Sequence, residues 1–235
     1  MSTRKVIFGI GEFYHLYSRG NDKRKIFLTD NDYRRFICSL YAANGSNSIH
    51  LSDLRQWSSQ IWGQKRGETL IDIGAYCLMP NHFHLLAREK KEGGITVFMR
   101  KLLTSYSSYF NLKHKRTGKL FEGSFKATHI NDDYYLRYLY AYIHLNPVKI
   151  SNPDNWPDKI IRDIPAAKSF LNSYPHSSYH DYLGRSRREK MILNPDTFPT
   201  YFGHPIDFKE FIADWMKYDQ TILGNNAGRN FLPTT

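Results

Sequence analysis

The sequence of 235 residues has little cysteine, no long apolar run and a deficit of acidic residues. Its two cysteines, Cys38 and Cys77, cannot build the disulfide framework of small secreted proteins. No stretch approaches the ~18 consecutive apolar residues of a membrane-spanning helix. The first residues also lack the apolar core of a signal peptide. These absences predict a protein of the cytoplasm that does not enter a membrane.

The charge of the chain is unevenly distributed. There are 33 Lys and Arg residues against 22 Asp and Glu, which gives a net charge of +11. The whole excess lies in residues 1–150, because residues 151–235 contain ten basic and ten acidic residues. A basic surface attracts phosphate backbones and releases their counterions. Nucleic acid is therefore the leading class of partner, and a generally basic surface without such a partner is the alternative.

Hydrophobic periodicity predicts a mixed fold in the first part of the chain. Strands are predicted over residues 12–20, 70–80, 82–90 and 120–130, and helices over 30–43, 93–115 and 131–147. Strands joined by a tight turn and separated by helices favour an α+β fold, with an antiparallel sheet and helices on one face. Asp30 and Asn131 are the predicted N-caps of the first and last of these helices.

Two regions differ from this pattern. Residues 44–69 are polar and predict a long excursion, with a short helix near residues 54–62. Residues 151–235 are rich in Pro, Ser and Asn, and they predict an appendage with one late helix over 205–218. The sequence shows no internal repeat and no low-complexity tract.

The segment "MPNHFHLL" (79–86) places two histidines on one predicted strand. Alternation puts His82, His84 and Leu86 on one face of the strand, and Phe83 and Leu85 on the other. One interpretation is a pair of core histidines whose hydrogen bonds are satisfied by neighbours. The other is a metal site, because neutral imidazole is the commonest protein ligand for metals. Two ligands do not complete such a site.

The segment "AYIHLNPVK" (141–149) supplies further candidates. Tyr142 and Asn146 are spaced i, i+4 and share one face of the predicted helix, and Pro147 is expected to move Asn146 away from helical geometry. A packing tyrosine and a helix-end asparagine are the simpler interpretation, since the helix holds several other tyrosines. Together with the histidines, however, these residues suit a phosphoryl-transfer enzyme. The imidazoles and the amide oxygen would hold a divalent ion as a Lewis acid, and the tyrosine hydroxyl would be the nucleophile.

The sequence resembles the single-tyrosine HUH transposases, in particular the REP-associated tyrosine transposases among the insertion-sequence type enzymes. The resemblance is carried by "FYHLYSRGNDKRKIF", "AYCLMPNHFHLL", "GKLFEGSFKA", "YIHLNPVK" and "YPHSSYHDYLG". The HFH strand alone is a weak motif, but "MPNHFH" followed by a distant "YIHLNPV" is specific. Residues 44–69 are not covered and look like an insertion.

The resemblance implies a fold, a domain division and a set of site residues. The fold would be a ferredoxin-like antiparallel sheet with helices, in a catalytic domain over residues 1–150. Residues 151–235 would form a C-terminal appendage packing on that core. Tyr142 matches the family's nucleophile, and the metal ligands are matched by His82, His84 and Asn146. Mg²⁺ or Mn²⁺ is the expected ion, although imidazole also admits Zn, Ni or Co.

The resemblance also implies an activity. The expected function is metal-dependent cleavage and strand transfer of single-stranded DNA beside DNA hairpins, such as REP palindromes, through a 5′-phosphotyrosine intermediate in transposition. A hairpin-binding protein that no longer cleaves is the alternative, and an RNA-binding protein is a third hypothesis. The expected assembly is a monomer or a homodimer. The candidate DNA contacts are Arg19, Lys23, Arg24, Arg100, Lys101, Lys113, Lys115 and Arg116.

Overall fold

The computed structural model describes residues 6–151 and 161–217. The strands are β1 (Phe13–Arg19), β2 (Ile71–Met79), β3 (His82–Glu89) and β4 (Lys126–Ile130). The α-helices within these ranges are α1 (Asp30–Ala43), α2 (Trp57–Gln60), α3 (Gly94–Lys113), α4 (Asp133–Leu145), α5 (Val148–Ser151), α6 (Ile164–Ser173), α7 (Tyr179–Tyr182) and α8 (Pro205–Lys217). Short 3₁₀ turns lie at Asn21–Lys23, Leu51–Asp53, Ile61–Gly63, Arg188–Ile192 and Pro195–Thr197.

The four strands form one antiparallel sheet in the order β2-β3-β1-β4. This order, with helices after β1 and β3, is the ferredoxin-like arrangement, so the predicted α+β fold class is confirmed. The last strand is shorter than predicted and starts at residue 126 rather than 120. Phe121 makes only an isolated bridge to Gly20. The chain then leaves the extended conformation at Gly123, whose φ of 58° is left-handed.

One face of the sheet carries the larger core. Leu16, Phe83 and Leu85 are fully buried there against α1 and α3. Phe36 of α1 packs on Phe83 with ring centroids 4.9 Å apart. Each such buried side chain contributes about 1.5–3 kcal/mol relative to an exposed one. This face therefore anchors the sheet.

The opposite face is covered by α4 and by C-terminal residues. Cys77 of β2 and Leu86 of β3 are buried against Leu139 and Ile143 of α4. The prediction of helices on a single face is therefore wrong. The apolar stripe of α4 needs a surface to pack on, and the alternate residues of β2 and β3 supply it.

Helix α1 has a different N-cap from the predicted one. Thr29 has extended backbone geometry and precedes the helix, so Asp30 is its first helical residue and not its cap. The Asp32 carboxylate accepts the Thr29 backbone N–H at 2.9 Å. The N-cap of α1 is therefore Thr29, one residue before the predicted Asp30.

Helix α4 also corrects the sequence prediction at both ends. Its N-cap is Asp132 rather than Asn131, because the Asp132 carboxylate accepts the Tyr135 N–H at 2.7 Å. Asn146 keeps helical dihedral angles of φ −51° and ψ −39°, so Pro147 does not displace it as expected. Pro147 heads the next helical turn, where its missing N–H is not needed.

The C-terminal part contains α8, which confirms the late helix over its described residues, and it also contains α6 and α7. A segment before α7 covers the outer edge of β2. Leu78 donates its N–H to the His176 carbonyl, and Ser178 donates to the Tyr76 carbonyl, each at 2.9 Å. Covering an edge strand removes a surface that would otherwise pair with another chain. The domain division at residue 150 stays a prediction, and residues 152–160 and 218–235 lie outside the described ranges.

The excursion over residues 44–69 carries α2 and two 3₁₀ turns, which agrees with the short helix predicted there. It packs mainly on α1. Across the described ranges, no helix is both long and apolar enough to cross a membrane.

Candidate active site

Three histidines meet on the face of the sheet that α4 covers. His82 and His84 belong to β3, and His15 belongs to β1. The two strands are neighbours, and Tyr17 of β1 lies opposite His84 in their register. His15 Nε2 is 2.8 Å from His84 Nδ1, within hydrogen-bond distance. Sequence analysis missed His15, although strand alternation places it on the same face as Arg19. The site therefore contains an imidazole pair across two strands.

His82 is oriented by its neighbour in the turn. Its Nδ1 lies 2.7 Å from Asn81 Oδ1. An amide oxygen only accepts, so Nδ1 carries the proton and Nε2 presents a lone pair. Asn81 in turn donates from its Nδ2 to the Lys23 carbonyl at 3.3 Å. Such outer contacts fix the tautomer and ring orientation of a metal-binding histidine.

His84 is buried, with one satisfied nitrogen and one unsatisfied nitrogen. Its Nδ1 is bonded to His15, whereas its Nε2 has no hydrogen-bond partner among the described residues. A buried polar atom left unpaired costs about 1–3 kcal/mol. When Nδ1–H donates to His15 Nε2, the unpaired Nε2 of His84 carries a lone pair. His84 Nε2 could therefore bind a cation through this lone pair.

All three imidazoles are held neutral. Burial lowers the pKa of His15 and of His82 to about 3, and the positive charges of Lys149 and Arg19 act in the same direction on His82. Burial also places the pKa of His84 well below its usual range, and the neighbouring histidines add to this effect. A neutral imidazole is the form that binds metals, so the protons do not compete at neutral pH.

Asn146 lies one turn after Tyr142, at the end of α4. It is fully buried, and its backbone N–H donates to the Tyr142 carbonyl at 3.0 Å. Neither Oδ1 nor Nδ2 of its side chain has a hydrogen-bond partner in the described part of the chain. Buried amides are normally satisfied, so this one needs an explanation. A bound cation at Oδ1 would supply it.

Tyr142 packs against the histidines from the helix side. Its ring centroid is 5.3 Å from that of His84 and 6.0 Å from that of His15, both in edge-to-face arrangements. Burial raises the pKa of its hydroxyl to about 12. A polar contact with Asn146 opposes this rise, but its geometry falls outside that of a full hydrogen bond. The hydroxyl is therefore protonated at neutral pH and needs a nearby positive charge to become a nucleophile.

A cavity of about 280 Å³ opens beside these side chains. Its walls include His82, His84 and Tyr142. Lys149 also lines it, with Nζ 4.9 Å from the centroid of the Tyr142 ring. Among the described residues on its wall, Glu122 is the one acidic side chain. The cavity has a positive rim that suits a phosphate group.

The predicted DNA contacts fall into separate places. Arg19 and Lys23 line the same cavity, where Arg19 pairs with Glu122 at 3.2 Å. Arg24 is not among the residues that line the cavity, and it pairs with Asp22 at 3.3 Å. The contact of these residues with DNA stays a prediction.

The other predicted contacts lie on the α3 side of the molecule. Arg100 and Lys101 line a second groove. Lys113 pairs with the buried Asp32 at 2.7 Å, so its charge has a structural partner. Lys115 is exposed after α3, and Arg116 donates to the side chain of Asn111.

The C-terminal segment holds α4 in place. His144 lies two residues after Tyr142, and its Nε2 is 2.7 Å from Ser178 Oγ. Ser178 Oγ also accepts the Tyr76 N–H of β2 at 3.0 Å. One serine thus ties the helix that bears Tyr142 to an edge strand of the sheet. The downstream "YPHSSYHDYLG" segment has this structural consequence for the site.

The donor set fits a divalent ion. The described residues include no group of three or more His, Cys, Asp or Glu side chains placed to hold a metal. The candidate set instead combines two imidazoles with one carboxamide. Its unpaired atoms, His84 Nε2 and Asn146 Oδ1, are both buried. Nitrogen and oxygen donors of this kind suit first-row divalent metals.

Comparison with known protein families shows to which family the chain belongs. A family model described as "Transposase IS200 like" matches residues 14–146. The chain belongs to this family. This IS200-like transposase therefore acts on DNA, and the match extends from β1 to Asn146, across both histidines of β3 and Tyr142. Among curated proteins, none matches the chain.

One solved structure similar to this IS200-like transposase is described as a REP-associated tyrosine transposase bound to a REP hairpin. The two chains share 14% sequence identity, with a TM-score of 0.49. The similarity covers 80% of this chain and 90% of the other.

Proposed function

We propose that this transposase is a metal-dependent endonuclease and strand transferase that acts on single-stranded DNA beside DNA hairpins. Tyr142 is the proposed nucleophile, and His82, His84 and Asn146 are the proposed metal ligands. The family membership and the clustering of His82, His84 and Tyr142 at one cavity support the proposal. The strongest single observation is the pair of buried, unpaired donors at His84 Nε2 and Asn146 beside Tyr142.

The proposed ligands would bind through Nε2 of His82, Nε2 of His84 and Oδ1 of Asn146. All three donors are neutral, so they leave the charge of the ion uncompensated. Bound Mg²⁺ or Mn²⁺ would polarise the scissile phosphate and stabilise negative charge on oxygen. The histidines need no proton release to bind, because burial already keeps them neutral.

The proposed chemistry transfers a phosphoryl group between oxygens. Tyr142 Oη loses its proton to solvent and forms a bond to phosphorus, while the bond from phosphorus to the 3′-oxygen of the preceding nucleotide breaks. The leaving 3′-oxygen takes up a proton. DNA is then joined to Tyr142 through a 5′-phosphate. A later attack by another 3′-hydroxyl restores a phosphodiester and releases the tyrosine, so no external energy source is needed.

Lys149 has a proposed supporting role at the same place. Its ammonium lies over the Tyr142 ring at 4.9 Å and lines the cavity. A positive charge there favours the tyrosinate over the neutral phenol. It also attracts the DNA phosphate.

The test is a covalent-adduct assay with a labelled DNA hairpin that carries a single-stranded flank, in Mg²⁺ or Mn²⁺. The wild-type protein is expected to form an adduct that survives denaturing electrophoresis. Tyr142→Phe is expected to form none and to keep its hairpin affinity, because only the attacking oxygen is removed.

Tyr138→Phe is the matched control, since Tyr138 lies one turn earlier on α4 with its ring centroid 5.9 Å from that of Tyr142. An adduct formed by Tyr142→Phe would contradict the assignment. Tight binding without any adduct from the wild-type protein would instead favour a hairpin-binding protein that does not cleave.

A further inference from the structure

A second groove lies on the other side of the sheet from the histidines, between α1 and α3. It has a volume of about 770 Å³ and is partly roofed by residues 48–52 of the excursion. Its lining includes Arg35 of α1 and Arg100, Lys101 and Tyr109 of α3. The described residues place no carboxylate on its wall. The groove is therefore a positively charged space distinct from the candidate active site.

Arg35 is the unusual residue of this groove. It is only 9% exposed, and its buried Nε has no hydrogen-bond partner among the described residues. Its Cζ lies 5.3 Å from the Trp57 ring centroid and 5.0 Å from that of Tyr109. Arginine almost never occurs this deeply buried without a partner. The two rings hold the cation but do not neutralise it.

The electrostatics of Arg35 favour a bound anion. Burial lowers the pKa of its guanidinium, which means that the positive charge is costly in this position. Arginine nevertheless stays protonated in proteins, so the charge persists. A bidentate phosphate would satisfy the guanidinium and relieve this cost.

The rest of the groove matches a nucleotide rather than a bare ion. Hydroxyl groups of Thr104 and Ser108 line it and can donate to phosphate oxygens. Leu51 and Leu112 also line it, and Leu112 is 84% exposed at the surface of α3. Apolar and aromatic surfaces beside cations are the usual way to hold an unpaired base. The groove is bounded on both sides by helices, which suits a single strand better than a duplex.

We infer that the groove between α1 and α3, completed by the excursion, is a second binding site for single-stranded DNA, with a backbone phosphate at Arg35. This inference rests on the proposed function, because it takes the flank of a DNA substrate as the occupant. It gives residues 44–69 a role: Trp57 fixes the guanidinium, and the carbonyl of Gly45 accepts a hydrogen bond from Lys101 at 2.8 Å.

The test measures binding by fluorescence anisotropy in EDTA, so that cleavage does not contribute. The probes are a labelled hairpin with a single-stranded oligothymidine extension and the same hairpin without it. Arg35→Gln combined with Lys101→Gln is expected to weaken binding of the extended probe about tenfold, because roughly two charge-assisted hydrogen bonds to phosphate are removed. The slope of log affinity against log salt is expected to fall by about 0.7 for each phosphate that the variant no longer neutralises.

The control variant removes the same charge elsewhere. Arg34→Gln with Lys168→Gln alters exposed side chains outside the groove, and Arg34 is adjacent to Arg35 on α1. This control should leave both affinities and the salt slope nearly unchanged. Arg100→Gln, an exposed position in the groove, should flatten the slope by about 0.7 even if the double variant does not fold.

Three results would overturn the inference. The first is an unchanged slope in the Arg35 and Arg100 variants. The second is an equal loss of affinity for the probe without the extension, and the third is an equal loss in the control variant. The adduct assay is separate, so a protein that forms the Tyr142 adduct but shows any of these results would retain the proposed function and lose this second site.

Discussion

Two clusters of buried polar groups, one on each face of the sheet, differ in how far their hydrogen bonds are satisfied. On the α1 and α3 face, the buried carboxylate of Asp32 receives hydrogen bonds from Lys113 at 2.7 Å and from the backbone N–H groups of Leu28 and Thr29 at 2.9 Å. On the α4 face, His84 Nε2 and the Asn146 side chain are buried without partners among the residues that the structure describes. The first arrangement is complete within the chain, and the second is not. A satisfied cluster stabilises the fold, whereas an unsatisfied one is available for a ligand.

The largest expected effect concerns the incomplete cluster. His84→Ala should reduce Mn²⁺-dependent adduct formation by at least ~10³-fold, because Lewis-acid stabilisation of several kcal/mol is lost. Asn146→Ala should retain more activity, since a carboxamide oxygen is the weaker ligand. Circular dichroism should show that both variants stay folded. Normal cleavage by His84→Ala in EDTA-treated, metal-replenished assays would place the metal elsewhere.

The next effect concerns the complete cluster and is one of stability. Burial alone would raise the pKa of Asp32, but the hydrogen bonds from Lys113 and the backbone lower it to about 2. A depressed carboxyl pKa stabilises the native state above the unfolded pKa, and this contribution disappears as pH falls from about 4 to about 2. Asp32→Asn should therefore lower the free energy of unfolding by about 2 kcal/mol near neutral pH, with a difference that shrinks in that acidic window.

Urea unfolding of Asp32→Asn at several pH values measures this difference. Asp30→Asn is the control, because Asp30 is exposed and its ion pair with Arg34 lies at the surface. Exposed pairs contribute little. If Asp32→Asn and Asp30→Asn lowered the free energy of unfolding equally, the buried ion pair would be no more stabilising than the exposed one. The satisfied cluster around Asp32 would then have no special role in stability.

The smallest expected effect concerns His15, which connects to the proposed site through His84. His15→Phe keeps a ring of similar size and removes the nitrogen that contacts His84 Nδ1. Removal of such an outer partner typically weakens metal affinity by about 10–100-fold, and the low end is expected here. Calorimetric titration of Mn²⁺ without DNA checks this directly. His129→Gln, on an exposed histidine of β4, should leave the affinity unchanged.

Periodicity in the sequence was enough to predict the fold class and the face shared by His82 and His84. Both follow from local spacing, and the alternation of β3 indeed separates Phe83 from the histidines. Cap positions were displaced by one residue at Thr29 and Asp132, because neighbouring Asp, Asn and Thr residues have similar capping ability.

Features that depend on distant contacts were not predictable from spacing. His15 contacts His84 across 69 positions of sequence, and only the strand register brings them together. The packing of α4 on the second face depends on which surface remains free after α1 and α3 have covered the first. The pairing of Lys113 with Asp32 likewise has no local signal, so Lys113 looked like any other exposed cation. The roles of the proposed site residues stay predictions until the assays above are done.

The one-turn spacing of Tyr142 and Asn146 has a mechanical consequence. Both side chains belong to one helix, whereas His82 and His84 belong to the sheet, so the proposed centre is divided between two rigid bodies. Any slide or rotation of α4 would withdraw the proposed nucleophile and one proposed metal ligand in the same movement. The hydrogen bond between His144 and Ser178 helps to hold α4 against β2, and so it helps to keep the two parts of the proposed centre together. Weakening this hydrogen bond would reduce the fraction of molecules that are competent for cleavage. Ion binding and the placement of Tyr142 would then be lost together rather than separately.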